Sequence, residues 1–150
     1  MRYTSRSQFE TDQDCAKRVK RTERGWAGHF ICAQDCRFRR NTLLEYGETR
    51  VVISTVGAMF SRFHMKGSGP EEIGYNRHYE TMIFHAHKDG EYWEADVRKE
   101  WDGARAGDWQ LLMTKENEDQ IDNLANDMHE KNVNAIAKEL KRALHEQKPV

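Results

Sequence analysis

Phe38-Arg39-Arg40-Asn41-Thr42-Leu43-Leu44-Glu45-Tyr46-Gly47-Glu48-Thr49-Arg50-Val51-Val52-Ile53-Ser54-Thr55-Val56-Gly57 decides the fold. It consists of two β-rich runs, 38–46 and 49–57, separated by Gly47-Glu48. Glycine at the first position of a two-residue loop suits a type II′ turn, whose twist matches that of antiparallel strands. The turn predicts a register that sets Glu45 opposite Arg50, Leu44 opposite Val51, Leu43 opposite Val52 and Thr42 opposite Ile53. The opposite charges of Glu45 and Arg50 then meet across the strands, a favourable pair. Apolar residues fall on both faces, as expected of a central hairpin covered in part on both sides.

A second hairpin follows at 79–88 and 91–98, with Asp89-Gly90 as a type I′ signal. This turn predicts Ala86 opposite Trp93, Phe84 opposite Ala95 and Met82 opposite Val97 on a core face. On the other face it sets His87 against Tyr92, His85 against Glu94, Ile83 against Asp96 and Thr81 against Arg98. Such alternation is the pattern of a half-exposed antiparallel pair, with the polar row facing water.

Working outward, Trp26 to Cys32 reads as a further strand, and residues 8–23 as a charged helix or mobile arm. Between the hairpins, residues 60–77 contain Gly67-Ser68-Gly69-Pro70 and read as a surface loop. Residues 99–113 read as packed but irregular. From 115 to 146 the apolar spacing becomes helical, through Ile121, Leu124, Ala125, Met128, Ile136, Leu140 and Leu144, with Thr114 as N-cap. Asn132 and Asn134 interrupt that stripe and leave one helix or two open. The expected fold class is α+β: an antiparallel sheet of about five strands built from two hairpins, a C-terminal helix packed on its apolar face, and a charged N-terminal helix. Trp26, Phe30, Phe84, Trp93, Val97, Leu124, Met128 and Leu140 are the expected core.

The 150 residues suit one domain, 1–150, divided into an arm at 1–24, a sheet at 25–98 and a helical segment at 115–146. One third of the residues are charged and the mean hydropathy is -0.96, but 15 aromatics are enough for a core. The formal net charge of -1 offers no whole-molecule attraction to nucleic acid or membrane. It conceals a gradient, since residues 1–50 carry 11 Lys/Arg against 7 Asp/Glu and residues 101–150 carry 7 against 10. No apolar run approaches the length of a membrane span, and no apolar signal region follows Met1, so a cytoplasmic location is expected. Three cysteines, an odd count, argue against a disulfide framework.

No complete catalytic, metal or nucleotide motif stands in the chain. Cys32, Cys36 and His29 are zinc-type ligands, but a C-x3-C spacing without a second pair predicts no metal and no cofactor. Arg37, Arg39, Arg40 and Asn41 form a basic segment able to grip phosphate or carboxylate, or to be solvated, with Arg40 pairing an acidic neighbour. His85, His87, Glu94 and Asp96, with Tyr92, supply raw material for acid–base chemistry, but no nucleophile motif lies beside them. The acidic stretch from Glu116 to Glu130 reads as a solvated helix face or a mimic of a nucleic-acid backbone. His129 and His145 have no motif around them.

Gly25-Trp26-Ala27-Gly28-His29-Phe30-Ile31-Cys32, the run from Cys36 to Glu45, Val52 to Met59, Tyr79 to Phe84 and Asp127 to Glu130 together resemble a family of small bacteriophage and prophage proteins. The resemblance spans roughly residues 23 to 132 and brings no catalytic or ligand residue with it. It implies expression in an infected bacterial cell, and a non-enzymatic accessory protein that binds and inhibits a host machine, such as a CRISPR effector in a defence system. The surfaces expected to meet that host protein are Arg37–Asn41, the 60–77 loop and the acidic helix start. Two other readings stand beside it. One is a nucleic-acid or signalling-nucleotide binder using Arg37–Asn41, and the other a small hydrolase-like enzyme using His85, Glu94 and Asp96.

Overall fold

The computed structural model describes residues 18–24, 29, 31–101 and 110–146. Among them are six strands: β1 (Lys20–Glu23), β2 (Cys36–Tyr46), β3 (Thr49–Met59), β4 (Tyr79–Asp89), β5 (Tyr92–Glu100) and β6 (Gln110–Leu111). One α-helix, α1 (Ile121–Glu146), and a 3-10 turn at Ile31–Asp35 complete the described elements. The strands form one antiparallel sheet in the order β1-β2-β3-β4-β5, with β6 also paired to β4.

The first hairpin has the expected register, from Tyr46 opposite Thr49 through Thr42 opposite Ile53. Gly47 supplies the positive φ, +60°, that its turn demands. Glu45 and Arg50 lie 3.2 Å apart. Val51, Val52, Ile53 and Val56 are all fully buried, so β3 is central and covered on both faces.

The second hairpin departs from its expected register. Its loop is Gly90-Glu91, and Asp89 pairs with Tyr92, Lys88 with Trp93, His87 with Glu94 and Ala86 with Ala95. A type I′ turn on Asp89-Gly90 would place aspartate at positive φ. With the loop one residue later, the positive φ (+63°) falls on Gly90, as it falls on Gly47 in the first turn. Beyond Ala86 the ladder breaks, and the next pair is Phe84 with Glu100. Residues 96–99 therefore bulge out opposite His85.

The helix packs on the face opposite to the one expected. Leu44, Val51, Ile53 and Ile83 meet Val133, Ile136 and Leu140, while Tyr79 and Ala58 meet Ile121 and Ala125. The face of Ile83 and Thr81, expected to look into water, is therefore the one beneath α1. Phe84, on the other face, is buried without the helix and lies 5.6 Å from the His29 ring. Val97 and Leu124, expected in the core, are 54% and 36% exposed. Val97 sits in the bulge, and Leu124 lies on the flank of the helix. Tyr79, Val133, Asn132 and His129 take places in the core that apolar spacing did not assign.

Three further expectations are corrected. Lys20–Glu23 is a strand paired with β2, not the end of a helix over 8–23; residues 1–17 lie outside the described residues. Ile31 and Cys32 open a 3-10 turn rather than closing a strand, and Trp26 and Phe30 lie outside the described residues. The helix starts at Ile121, not after Thr114, because residues 115–120 are turns closed by Asn117, which accepts from the Thr114 amide. It then runs unbroken to Glu146. Asn132 does not interrupt it, since its side-chain amide donates to the Met128 carbonyl one turn back.

No helix of the described residues is long and apolar enough to cross a membrane.

Candidate functional site

Four places gather the polar and exposed groups that could act, and the first lies between the sheet and α1. Arg37 and Arg40, the expected phosphate grip, are paired with the acidic helix. Arg37 donates to Asp122 at 3.1 Å and lies near the Tyr79 hydroxyl, which itself donates to Asp122. Arg40 donates to Asn126 and Glu130, both at 2.8 Å, and to Glu23 at 3.1 Å. Arg21 from β1 closes the cluster with a two-pronged bond to Glu130 at 2.9 and 2.6 Å. The hydrogen bond from Arg21 is the leading reason that the Glu130 carboxyl falls to about 2, with Arg40 adding to it. Burial pushes Glu23 up, but hydrogen bonds from Arg21, Arg40 and Thr42 together bring it below the usual carboxylate range. The basic segment and the acidic stretch thus neutralise one another in part. Asn41, the last residue of the expected grip, is buried, and its Oδ1 accepts no hydrogen bond. Arg39 lies on the opposite face of β2 from Arg40, so the four residues do not form one patch.

Beneath these ion pairs lies His129, which is 0% exposed. Its Nε2 meets the Thr42 hydroxyl and its Nδ1 the Thr55 hydroxyl, each at 2.7 Å. Thr42 in turn meets Glu23 at 2.9 Å, and Thr55 meets Thr81 at 2.6 Å. Burial, with Arg40 nearby, lowers the imidazole to about 4, so the ring is neutral at pH 7. This chain crosses β1 to β4 and pins α1 to all of them. Sequence spacing had a signal for it, because His129 lies four residues from Ala125 and Val133 on the inward stripe.

The second place is on the other face of the sheet. His29 Nδ1 lies 2.8 Å from the Ser54 hydroxyl, and Nε2 lies 2.9 Å from Glu80. Arg77 holds the same carboxylate at 2.8 Å. Burial raises Glu80, but the bond from His29 and the charge of Arg77 bring it below its ordinary value. Serine, imidazole and carboxylate in series have the composition of a hydrolytic relay. Ser54 is fully buried, however, with no surface open to a substrate. The arrangement ties His29 to β3 and β4. Both ring nitrogens of His29 are thereby engaged, and Cys36 is buried beside Ala33 and Val56. Among the described residues no group of three or more His, Cys, Asp or Glu is placed to hold a metal ion.

The third place is a cleft of about 390 Å³ at the bulge of β5, lined by Arg50, His85, His87, Trp93, Asp96 and Lys99 among others. It contains three of the expected site residues but not in the expected pairing. His85 stacks on Trp101 at 4.8 Å, and Glu94 is opposite His87 in the ladder. The Glu94 carboxylate is held at 2.6 Å by Arg24, the residue that follows β1. The His85–Glu94 acid–base pair is therefore not formed. Trp93 is flanked by Arg50, 5.1 Å from its ring centre, and by Lys88 at 5.9 Å. Cations thus occupy the surroundings of that ring.

The fourth place is the connection from β3 to β4, residues 60–78. Phe63, Met65 and Tyr75 stand 78%, 75% and 84% exposed. The backbone beneath them is held in several places. Glu71 donates its amide to Met59 at 2.8 Å and accepts from the Ser61 hydroxyl at 2.6 Å. Ile73 bonds Arg77 at 3.0 Å, and His64 packs edge-on against Phe60 at 4.8 Å. Three large apolar side chains thus stand in water on a connection whose backbone is hydrogen-bonded at several points. No family model matches the chain, and no curated protein or solved structure matches it.

Proposed function

We propose that this is a non-enzymatic protein that binds and inhibits a protein machine of a host bacterium, as a bacteriophage accessory protein acting against a defence system would. The observation that supports this reading most is the outward display of Phe63, Met65 and Tyr75 on one anchored connection. Exposed apolar groups of this size gain most when a partner removes them from water. The groups whose chemistry suits a reaction are engaged or closed off. Arg37 and Arg40 bond the helix, Glu94 bonds Arg24, and Ser54 is closed off. The test is native purification of the tagged chain from bacterial cytosol, with mass spectrometry of what accompanies it. A stoichiometric host protein, lost when Phe63, Met65 and Tyr75 are replaced by alanine, supports the reading. Recovery of the chain alone overturns it, and recovery of the same protein with the triple variant moves the contact off these three residues.

A second reading, capture of a nucleotide-sized ligand, is favoured by the cleft at the β5 bulge, where Arg50 and Lys99 stand beside two imidazoles. This moves the expected anion contact from Arg37–Asn41 to another part of the sheet. Titration calorimetry with mono- and cyclic dinucleotides tests it. Heat that disappears with Lys99→Glu supports the cleft, and no heat with any of them removes it.

A further inference from the structure

The connection also carries information about what it meets, and the following inference rests on the protein-binding reading above. From Ser61 to Pro70 the tip holds Arg62 and Lys66 and no carboxylate. The two cations bracket Phe63 and Met65, and the Arg62 guanidinium lies 4.7 Å from the Phe63 ring centre. Glu71, at the base, is about a third exposed (34%) but engaged by its neighbours: it accepts from the Ser61 hydroxyl at 2.6 Å and faces His64 at 3.5 Å. Its hydrogen bond from Ser61 is the leading reason its carboxyl sits below the usual range. Between these groups is a recess of about 320 Å³, lined by Phe63, His64, Met65, Pro70 and Glu71 among others, large enough to take an apolar side chain. His64 forms part of its frame, through Nε2 to the Ser68 carbonyl at 3.0 Å and through the Phe60 ring.

We infer that this tip docks an acidic protein segment, in which one apolar side chain enters the recess and flanking carboxylates meet Arg62 and Lys66. Charge complementarity selects the partner: an acidic surface is drawn to two exposed cations, whereas a basic one is repelled. The pairing of Arg62 with Phe63 gives the free protein a way to cover part of an exposed ring. A partner carboxylate then draws the guanidinium aside and leaves the ring to the apolar contact. Residue 63 therefore supplies affinity, and residues 62 and 66 supply encounter rate and selectivity.

The test is selection of dodecapeptides from a random displayed library on the immobilised full-length chain, followed by binding measurements in solution. The expected winners carry two or more Asp or Glu around a Leu, Ile or Phe. Their affinity should fall at least tenfold between 50 and 300 mM NaCl, because exposed charges are screened. Arg62→Glu with Lys66→Glu should abolish their binding, and Phe63→Ala should weaken it at least tenfold at every salt concentration. Circular dichroism melting of each variant establishes that the fold is intact. Neutral or basic winners, equal binding by the variants, or no enrichment overturns the inference. So does binding to phosphatidylglycerol vesicles through the same residues without peptide enrichment. A host protein captured through a different surface leaves the protein-binding reading standing and removes only this one. Acidic winners without any host protein have the reverse consequence.

Discussion

Beneath α1, arginines, carboxylates, hydroxyls and an imidazole close on one another, whereas on the 60–78 connection Phe63, Met65 and Tyr75 stand in water. The first region is polar and turned inward; the second is apolar and turned outward. Residue chemistry alone would assign the reactive role to the first. Hydrogen bonding reverses that assignment. A guanidinium with two carboxylate partners has less capacity left for a phosphate, and an imidazole between two buried hydroxyls is out of reach of a substrate. An exposed phenylalanine, by contrast, keeps its apolar surface in water. The difference teaches that occupancy of a group, more than its identity, separates the framework from groups left open to solvent.

The sharpest way to break this comparison is to remove His129. His129→Ala deletes a fully buried ring and leaves the Thr42 and Thr55 hydroxyls short of a partner, so about 4 kcal/mol of stability should be lost. Urea unfolding measures this, and a loss under 1 kcal/mol would mean that the network does not pin the helix. Acid offers a second route. The folded imidazole titrates near 4 and the unfolded one near 6.5, so the neutral form is favoured by folding. That stability is complete above pH 6.5 and falls as the pH drops from 6.5 to 4, by about 3 kcal/mol. A second loss follows below pH 4.5, as Glu130, held near 2, is protonated in the unfolded chain first. Stability measured against pH for His129→Gln should lack the first phase and retain the second.

A methyl group added at Gly57 would overlap the Tyr79 ring, which lies over that glycine and reaches Asp122 at the start of α1. Gly57→Ala should cost about 2–3 kcal/mol by overpacking, read as a lower urea midpoint. Glu130→Gln, in which a half-exposed carboxylate loses its charge toward Arg21 and Arg40, should cost about 1 kcal/mol, with the effect shrinking in 1 M salt. At the other end of the scale, Phe63→Ala and Met65→Ala should change stability by less than about 0.5 kcal/mol, because neither side chain is buried. A large loss there would return the connection to the framework and erase the contrast with the region under α1.

Much of the fold was legible because short-range rules governed it. The Gly47-Glu48 loop has few solutions, and its register followed to the last pair. The Asp89-Gly90 signal located the second hairpin but put its loop one residue early, since Gly90-Glu91 satisfies the same need for a positive φ. That shift alone moved Glu94 from His85 to His87, and the bulge beyond Ala86, which carried no sequence signature, displaced the residues opposite His85. Less of the candidate site was legible. The 60–77 loop was named, but the exposure of its apolar residues could not be seen from composition. His129 was passed over because no motif surrounds it; its partners Thr42, Thr55 and Thr81 come from three separate strands.

The chain by itself determined the Gly47-Glu48 turn, the place of the second hairpin, the antiparallel pairing, the central place of the first hairpin and the helical character of the C-terminal segment, because each follows from residues close together in sequence. Only the tertiary structure decided which face of the sheet the helix covers. Both faces carry apolar residues, so hydrophobic pattern alone could not choose between them. The threonines and His129 form hydrogen bonds on one face only, and that match of buried donors and acceptors goes with the covered side. The same docking brought Arg37 and Arg40 onto carboxylates more than eighty residues away.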